Sequence, residues 1–482
     1  MIFNRAITLS FCLIIPLLAF SQDFRKQYED FKKSASDNYN SFRGECNKKY
    51  SEFLRAAWDW YEGKAPMPLP QEEKPIPPKP YKPIDNEPVI IEPIDVKPVE
   101  PSPQPKPIEP IYEKSTPSEN YFATTFYNAD CRVRLPQSAK DNLVDCSPNS
   151  LADGWLNLCT DEMDNAIRDC LENRIKYNLC DWAYLQFLID LSSKFCNNTN
   201  SATLLAAFLY CQSGYQIRLG EDNGTLVLLI GSKHFIYDYP YFEIDSEIFY
   251  PMADTSDKLR ICSGSFESET PLSLYINSEQ LLGFELSQER AITSKEYSIS
   301  ANSEVPIDLI KFYNTYPTSV FGDNALTRWA MYANTPLAEK TKSCLYPSLK
   351  KSIGNSTKLQ AANKLLNWVQ TGFVYEYDDK VWGHDRAFFA EETLYYPYAD
   401  CEDRSILFSR LVRDLLDLDV ALIYYPGHLA TAVKFDTDVD GDAMIINGER
   451  FIVCDPTYIG APVGAQMPDL EYDKAQAIVL NH

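Results

Sequence analysis

Asp400-Cys401-Glu402-Asp403-Arg404-Ser405, then Gly427-His428, then Cys454-Asp455-Pro456-Thr457: these three short runs decide how the C-terminal part of the chain folds. Asp400 suits an N-cap, and Asp403 occupies the acidic third position of a capping box. Ile406, Leu407, Leu411, Leu415 and Leu418 then recur at roughly helical spacing. Cys401 is therefore expected as the first residue of a helix. There the free backbone amides and the positive end of the helix dipole favour a thiolate. Glu402 and Asp403 oppose it, which leaves a histidine to supply most of any activation.

The segments that follow read as a sheet. Val420–Tyr425 is expected as a buried strand, Pro426-Gly427 as a turn, and His428–Phe435 as a second strand ending at the acidic loop Asp436–Asp442. Met444–Ile446 and Arg450–Cys454 flank Asn447-Gly448, a two-residue hairpin signal. An antiparallel pairing that sets Phe435 opposite Gly448 also sets His428 opposite Asp455. The carboxylate then accepts one imidazole N–H and leaves the other nitrogen for the thiol. The chain has four histidines (His234, His384, His428, His482), so few other pairings are open to Cys401. Singly, a cysteine is usually a small buried hydrophobe or half a disulfide. A histidine after Pro-Gly is usually a turn residue, and Asp-Pro-Thr a strand stop. Their joint placement is what points to a thiol nucleophile, its base and the base's orienter.

From about residue 358 to 464 the text resembles the transglutaminase-like superfamily, which has a papain-type Cys-His-Asp fold. The likeness rests on Leu366-Asn367-Trp368-Val369, Phe373-Val374-Tyr375-Glu376-Tyr377-Asp378, Phe388-Phe389-Ala390-Glu391-Glu392-Thr393-Leu394 and the three runs above. It implies an α+β domain over 346–482 with Cys401 as nucleophile, His428 as general base and acid, and Asp455 as orienter. The implied reaction is cleavage or transfer of a peptide or protein amide through a thioester, with no cofactor. An upstream aromatic or Gln donor to the oxyanion also belongs to that pattern, and Trp382 and Tyr396 are its candidates here. The rival expectation is a non-catalytic envelope protein that keeps the fold without the chemistry.

Residues 1–21 read as a secretory signal. Arg5 supplies the charge, Ala6–Phe20 the apolar run, and Ala19-Phe20-Ser21 the cleavage motif. Phe11 directly before Cys12 argues against lipid attachment, so a periplasmic or extracellular protein is expected. No other segment approaches eighteen unbroken apolar residues, and no membrane span is expected. Eight cysteines lie between residues 131 and 262, which in an oxidising compartment reads as a disulfide framework. A net charge of −23 argues against a nucleic-acid partner.

Residues 22–64 carry an eleven-residue repeat: Tyr28, Tyr39, Tyr50 and Tyr61, with Phe31, Phe42 and Phe53. Eleven residues make nearly three helical turns, so the stripe stays on one face. An amphipathic helix that self-associates or binds an envelope partner is expected, because seventeen of the thirty-two prolines then fall within 65–117. Such a segment forms no core of its own and is expected as an extended spacer. Residues 118–262 read as a cysteine-rich α+β domain, either a disulfide-bonded support domain or a degenerate copy of the C-terminal one. In the copy reading the helix is 200–214, Thr225 takes the base position, Tyr239 the orienter's, and Cys196 lies near the nucleophile's. A strand-rich connection over 263–345 completes the chain. Asp436, Asp438 and Asp440, followed by Gly441, begin like a calcium loop, but Asn447 stands where a bidentate Glu is needed. A solvated hairpin tip is the expected reading there.

Overall fold

The computed structural model describes residues 43–56, 58–69, 74–83, 87–98 and 120–481. The expected leader and the first half of the eleven-residue repeat lie outside the described residues. Two large sheets, each backed by helices and referred to with those helices as the first and second units, make a mixed α+β architecture.

The first sheet has the strand order Asp59–Glu62, Lys258–Cys262, Ile217–Asp222, Thr225–Gly231, Glu247–Pro251, Phe242–Ile244. Helices Pro148–Asn157, Asp161–Lys176, Asp181–Phe195 and Thr199–Gln212 form its other layer. Thr199–Gln212 is buried almost all round, from Leu204 to Tyr210, because it lies between the sheet and the other helices.

The aromatic repeat does not stand free. Residues 43–55 are helical, but Tyr50 packs on Trp155 and Phe266 with ring centroids 4.7 and 5.8 Å apart, and Leu54 is fully buried. Asn47 joins the same core, accepting from Trp155 Nε1 at 2.9 Å and from Gln212 Nε2 at 3.1 Å. The expectation of a partner-binding helix is therefore corrected for these residues, whose partner is the chain's own first unit. Tyr61 lies beyond the helix, in the edge strand Asp59–Glu62.

The proline-rich segment is extended, as its composition requires, but it is a strap rather than a free spacer. Lys79–Pro80 runs parallel to Tyr458–Ile459, Ile90–Ile91 parallel to Ala443–Met444, and Ile94–Val96 parallel to Gln476–Ile478. Prolines at 77, 78, 83, 88 and 93 fall between these short pairings, where a missing N–H costs no ladder bond.

Those last strands flank the second sheet, whose order is Ile90–Ile91, Ala443–Ile446, Glu449–Cys454, His428–Val433, Val420–Tyr425, Gln476–Val479, Ile94–Val96. One face, with Leu422, Leu429 and Val433, packs on helix Cys401–Leu416. The other, with Ile423, Ala430 and Ala432, is covered in part by Ile76, Tyr81 and Ile91 of the strap. Both faces being covered explains why Val420–Tyr425 and His428–Val433 are apolar at consecutive positions. Asn447 and Gly448 both have positive φ (51° and 79°), the conformation their two-residue turn demands.

Two further expectations are corrected. All twelve described cysteines are free thiols, and most are buried as small apolar side chains rather than joined in a framework. The 263–345 connection holds one hairpin (Arg290–Thr293 with Ser300–Ser303) and a short strand Ser319–Val320, but also helices Ile307–Tyr313 and Thr327–Asn334. The run Leu309, Ile310, Phe312, Tyr313 buries a helical face, which outweighs the β-branched text around it. Among the described residues no helix is long and apolar enough to cross a membrane.

Candidate active site

Cys401 is the first residue of helix Cys401–Leu416. The capping box is closed on both sides: Asp400 accepts from Asp403 N at 3.5 Å, and Asp403 accepts from Asp400 N at 3.3 Å. Asp403 also takes the Phe388 amide at 2.9 Å, which fixes the loop in front of the helix. Arg404, fully buried, donates to the carbonyls of Ala399, Gln370 and Phe373 at 3.3, 3.1 and 3.0 Å. The position of Cys401 is thus set by four neighbouring polar groups before its own side chain is considered.

His428 begins the strand beside it, and Ser405 Oγ ties helix to strand through the Leu429 carbonyl at 2.9 Å. The ladder pairs Thr431 with Cys454, which is displaced by two residues from the expected register. A two-residue slip preserves the face, so His428 and Asp455 still meet: Nε2 and Oδ2 are 2.9 Å apart. Thr457 profits from the slip. Its amide and hydroxyl both donate to Asp455 Oδ1 at 2.8 Å, and the Tyr458 amide adds a third bond at 3.2 Å. Burial alone would raise the Asp455 carboxyl, yet His428 and Thr457 hold it below the usual carboxylate range.

All three side chains are interior, with Cys401 4 %, His428 2 % and Asp455 1 % exposed. The structure joins His428 to Asp455 but does not close the bond from His428 to Cys401. His428 Nδ1 is buried and has no hydrogen-bond partner among the described residues. Cys401 Sγ instead donates to Glu402 Oε2 at 3.4 Å. Burial pushes the thiol well above its ordinary value, and Glu402 and Asp400 push further, while the Leu429 amide pulls it down.

The two aromatic candidates lie in a cluster of their own. Trp382, Phe388 and Tyr396 pack on one another with centroids 4.9 to 5.7 Å apart and surround Arg386. The Tyr396 hydroxyl donates to Asn314 at 2.9 Å. Tyr375 is the tyrosine whose hydroxyl feels Cys401: burial raises it, then the charges of Cys401, Asp400 and Glu402, and its hydroxyl is buried without a partner. In sequence Tyr375 is one of several aromatics in the run Phe373–Asp378, with no local signal that sets it apart.

Gln370 was missed as well. Its Nε2 donates to the carbonyls of Asp455, Tyr458 and Ala461 at 3.0, 2.9 and 3.1 Å, and its Oε1 accepts the Gly460 amide at 3.1 Å. A glutamine on the apolar stripe of Leu365, Leu366, Trp368 and Val369 was the sign that a buried backbone needed satisfying.

Carboxylates crowd the other side of Cys401. Asp378, Asp385 and Glu402 place ligand atoms within 4.8 Å of one another, as do Asp400, Cys401 and Glu402; these are the described groups with the spacing to share a cation. Asp378 is pushed up to about 7 by burial and by Asp385, against the pull of the Arg386 amide. In the 436–442 loop the acids are dispersed instead: Asp436 pairs with Lys358 at 2.6 Å and Asp438 with Arg450 at 3.8 Å. The remaining described histidines are elsewhere: His234 is buried in the first unit, accepting the Leu274 amide at 3.0 Å, and His384 is exposed.

Comparison with family models, with curated proteins and with solved structures finds no match for this chain.

Proposed function

We propose that the second unit is a transglutaminase-like cysteine enzyme, acting on peptide or protein amides outside the cytoplasm. The observation that carries this reading is the buried His428–Asp455 pair, which leaves Nδ1 free on the strand beside the helix that begins with Cys401. In this reading Cys401 leaves Glu402 and His428 Nδ1 is the base that takes the thiol proton. The sulfur then attacks the amide carbonyl, forming a C–S bond as His428 takes the thiol proton. His428 returns that proton to the leaving amine as the C–N bond breaks, giving a thioester. Water, deprotonated by His428, releases the acid and restores the thiol; an amine in its place gives transfer. Asp455 keeps the imidazole oriented and stabilises its cation. The Tyr375 hydroxyl, buried without a partner and close enough to feel the charge of Cys401, is the donor we assign to the developing oxyanion.

The test is labelling of the mature protein with an electrophilic amide mimic, followed by peptide mapping. Rapid modification of Cys401, lost in His428→Ala, supports the reading; labelling no faster than an unfolded thiol overturns it. A non-catalytic binding protein is the second reading. It is favoured by the buried thiol, by its hydrogen bond to Glu402 and by the acids that raise it.

A further inference from the structure

The two sheets share a topology. Without its first edge strand, the first sheet runs Lys258–Cys262, Ile217–Asp222, Thr225–Gly231, Glu247–Pro251, Phe242–Ile244. Without the strap, the second runs Gln476–Val479, Val420–Tyr425, His428–Val433, Glu449–Cys454, Ala443–Ile446. The strands occur in the same chain order in both, and every neighbouring pair is antiparallel. Each set follows a helix whose N-cap side chain, Asn198 or Asp400, accepts from the third helical amide. Each central pair turns through two residues, the second a glycine at positive φ: Gly224 at 85° and Gly427 at 74°.

These common points fix the correspondence. Matching the N-caps sets Thr199 on Cys401, and matching the turns sets Thr225 on His428. In the ladder Thr431 faces Cys454, while Met252 N donates to the Leu228 carbonyl at 2.9 Å, which sets Ala253 on Asp455. Thiol, imidazole and carboxylate are thus replaced by two threonines and an alanine. Tyr239 lies outside this ladder and Cys196 lies before the N-cap, so neither holds the place that sequence similarity gave it.

A cavity of about 280 Å³ opens beside two of these three positions: Thr199 and Ala253 line it together with Ala202, Ala206, Leu228 and Cys196, while Thr225 lies outside its lining. Its depth has a simple cause: Ala202 and Ala206 stand where the second unit carries Arg404 and Phe408. The volume sits at the low end for small-molecule pockets and has room for one large apolar side chain.

We propose that the first unit is a non-catalytic duplicate of the second, and that its cleft binds an extended peptide through one leucine- or phenylalanine-sized side chain. The class of occupant rests on the amide-substrate reading of the second unit, since the cleft is lined by the residues matched to Cys401 and Asp455. Such a site holds a substrate chain without cutting it.

Cys196 reports occupancy directly. In full-length Cys401→Ala protein, alkylation of Cys196 is followed by mass mapping in the presence of blocked alanine-glutamine hexapeptides carrying a central Leu, Phe or Ser. The Leu and Phe peptides are expected to slow Cys196 modification severalfold and the Ser peptide to leave it unchanged. Ala206→Phe, which restores the bulk found at Phe408, should abolish protection; Thr203→Trp serves if that variant does not fold. Unprotected Cys196 with peptides that the wild-type protein turns over overturns the cleft proposal alone. Protection without any turnover at Cys401 keeps the cleft and overturns the enzyme reading. Protection that persists in folded Ala206→Phe or Thr203→Trp places the peptide elsewhere and overturns the proposal.

Discussion

Cys401 gives its hydrogen bond to Glu402, at 3.4 Å, while the neighbouring His428 keeps an unpaired Nδ1. In the proposed mechanism Glu402 would thus compete with His428 for the Cys401 proton. Glu402→Gln removes an ionisable carboxyl, itself pushed up by burial and by Asp400, while keeping the shape. The pH midpoint of Cys401 alkylation is expected to fall by about one pH unit, since one unit corresponds to about 1.4 kcal/mol of differential interaction. An unchanged midpoint would mean that burial and Asp400 keep the thiol protonated without Glu402.

Gln370 satisfies three carbonyls and one amide of the turn that follows Asp455. Gln370→Leu keeps the volume and abandons those groups. A loss of about 2–4 kcal/mol is expected in urea unfolding, from unsatisfied buried polar groups. Labelling of Cys401 should fall with it, because Asp455 loses its mounting.

Acidic pH should stabilise the region around the site. Burial pushes Glu391 and Glu392 up to about 7, against the pull of the Ala338 amide on the first and of Arg386 on the second. A carboxyl with a raised folded value contributes stability that is full below its unfolded value near 4.3 and is lost as pH rises through about 7. Each contributes on the order of 3 kcal/mol. The melting temperature should therefore be higher at pH 5.5 than at pH 8, and Glu391→Gln or Glu392→Gln should reduce the difference. Asp455 acts in the opposite sense, its lowered value adding stability that is lost only as pH falls below the ordinary carboxylate range.

The packed N-terminal helix gives a fourth expectation. Leu54 is fully buried, so Leu54→Ala should cost about 2–5 kcal/mol. Phe53, 36 % exposed on the same helix, should cost less on truncation. Equal, small effects would mean that the helix is detached in solution.

Local text carried most of the second unit. The cap at Asp400, the turn at Asn447-Gly448 and the apolar run of 420–433 each depend on neighbours within a few residues, and each formed where expected. The polar supports of the site did not show, because Gln370 and Arg404 bond to backbone groups distant in sequence. Nor did the true role of the aromatic repeat: Tyr50 looks identical in sequence whether its stripe faces another molecule or Trp155. Register was the intermediate case. Strand alternation fixes which face a residue occupies but not a slip of two, and the structure took that slip.

The strap has a consequence in time rather than in space. Lys79 must find Tyr458, and Ile94–Val96 must find Gln476–Ile478, across nearly the whole chain. Loop length itself adds little to the equilibrium cost, since closure entropy grows only with the logarithm of length. Rates feel it more, because contacts this distant form only after much of the chain has been ordered. The second sheet therefore keeps two open edges until a segment synthesised long before it comes back to cover them, and for that interval the folding chain is most exposed to pairing with a copy of itself.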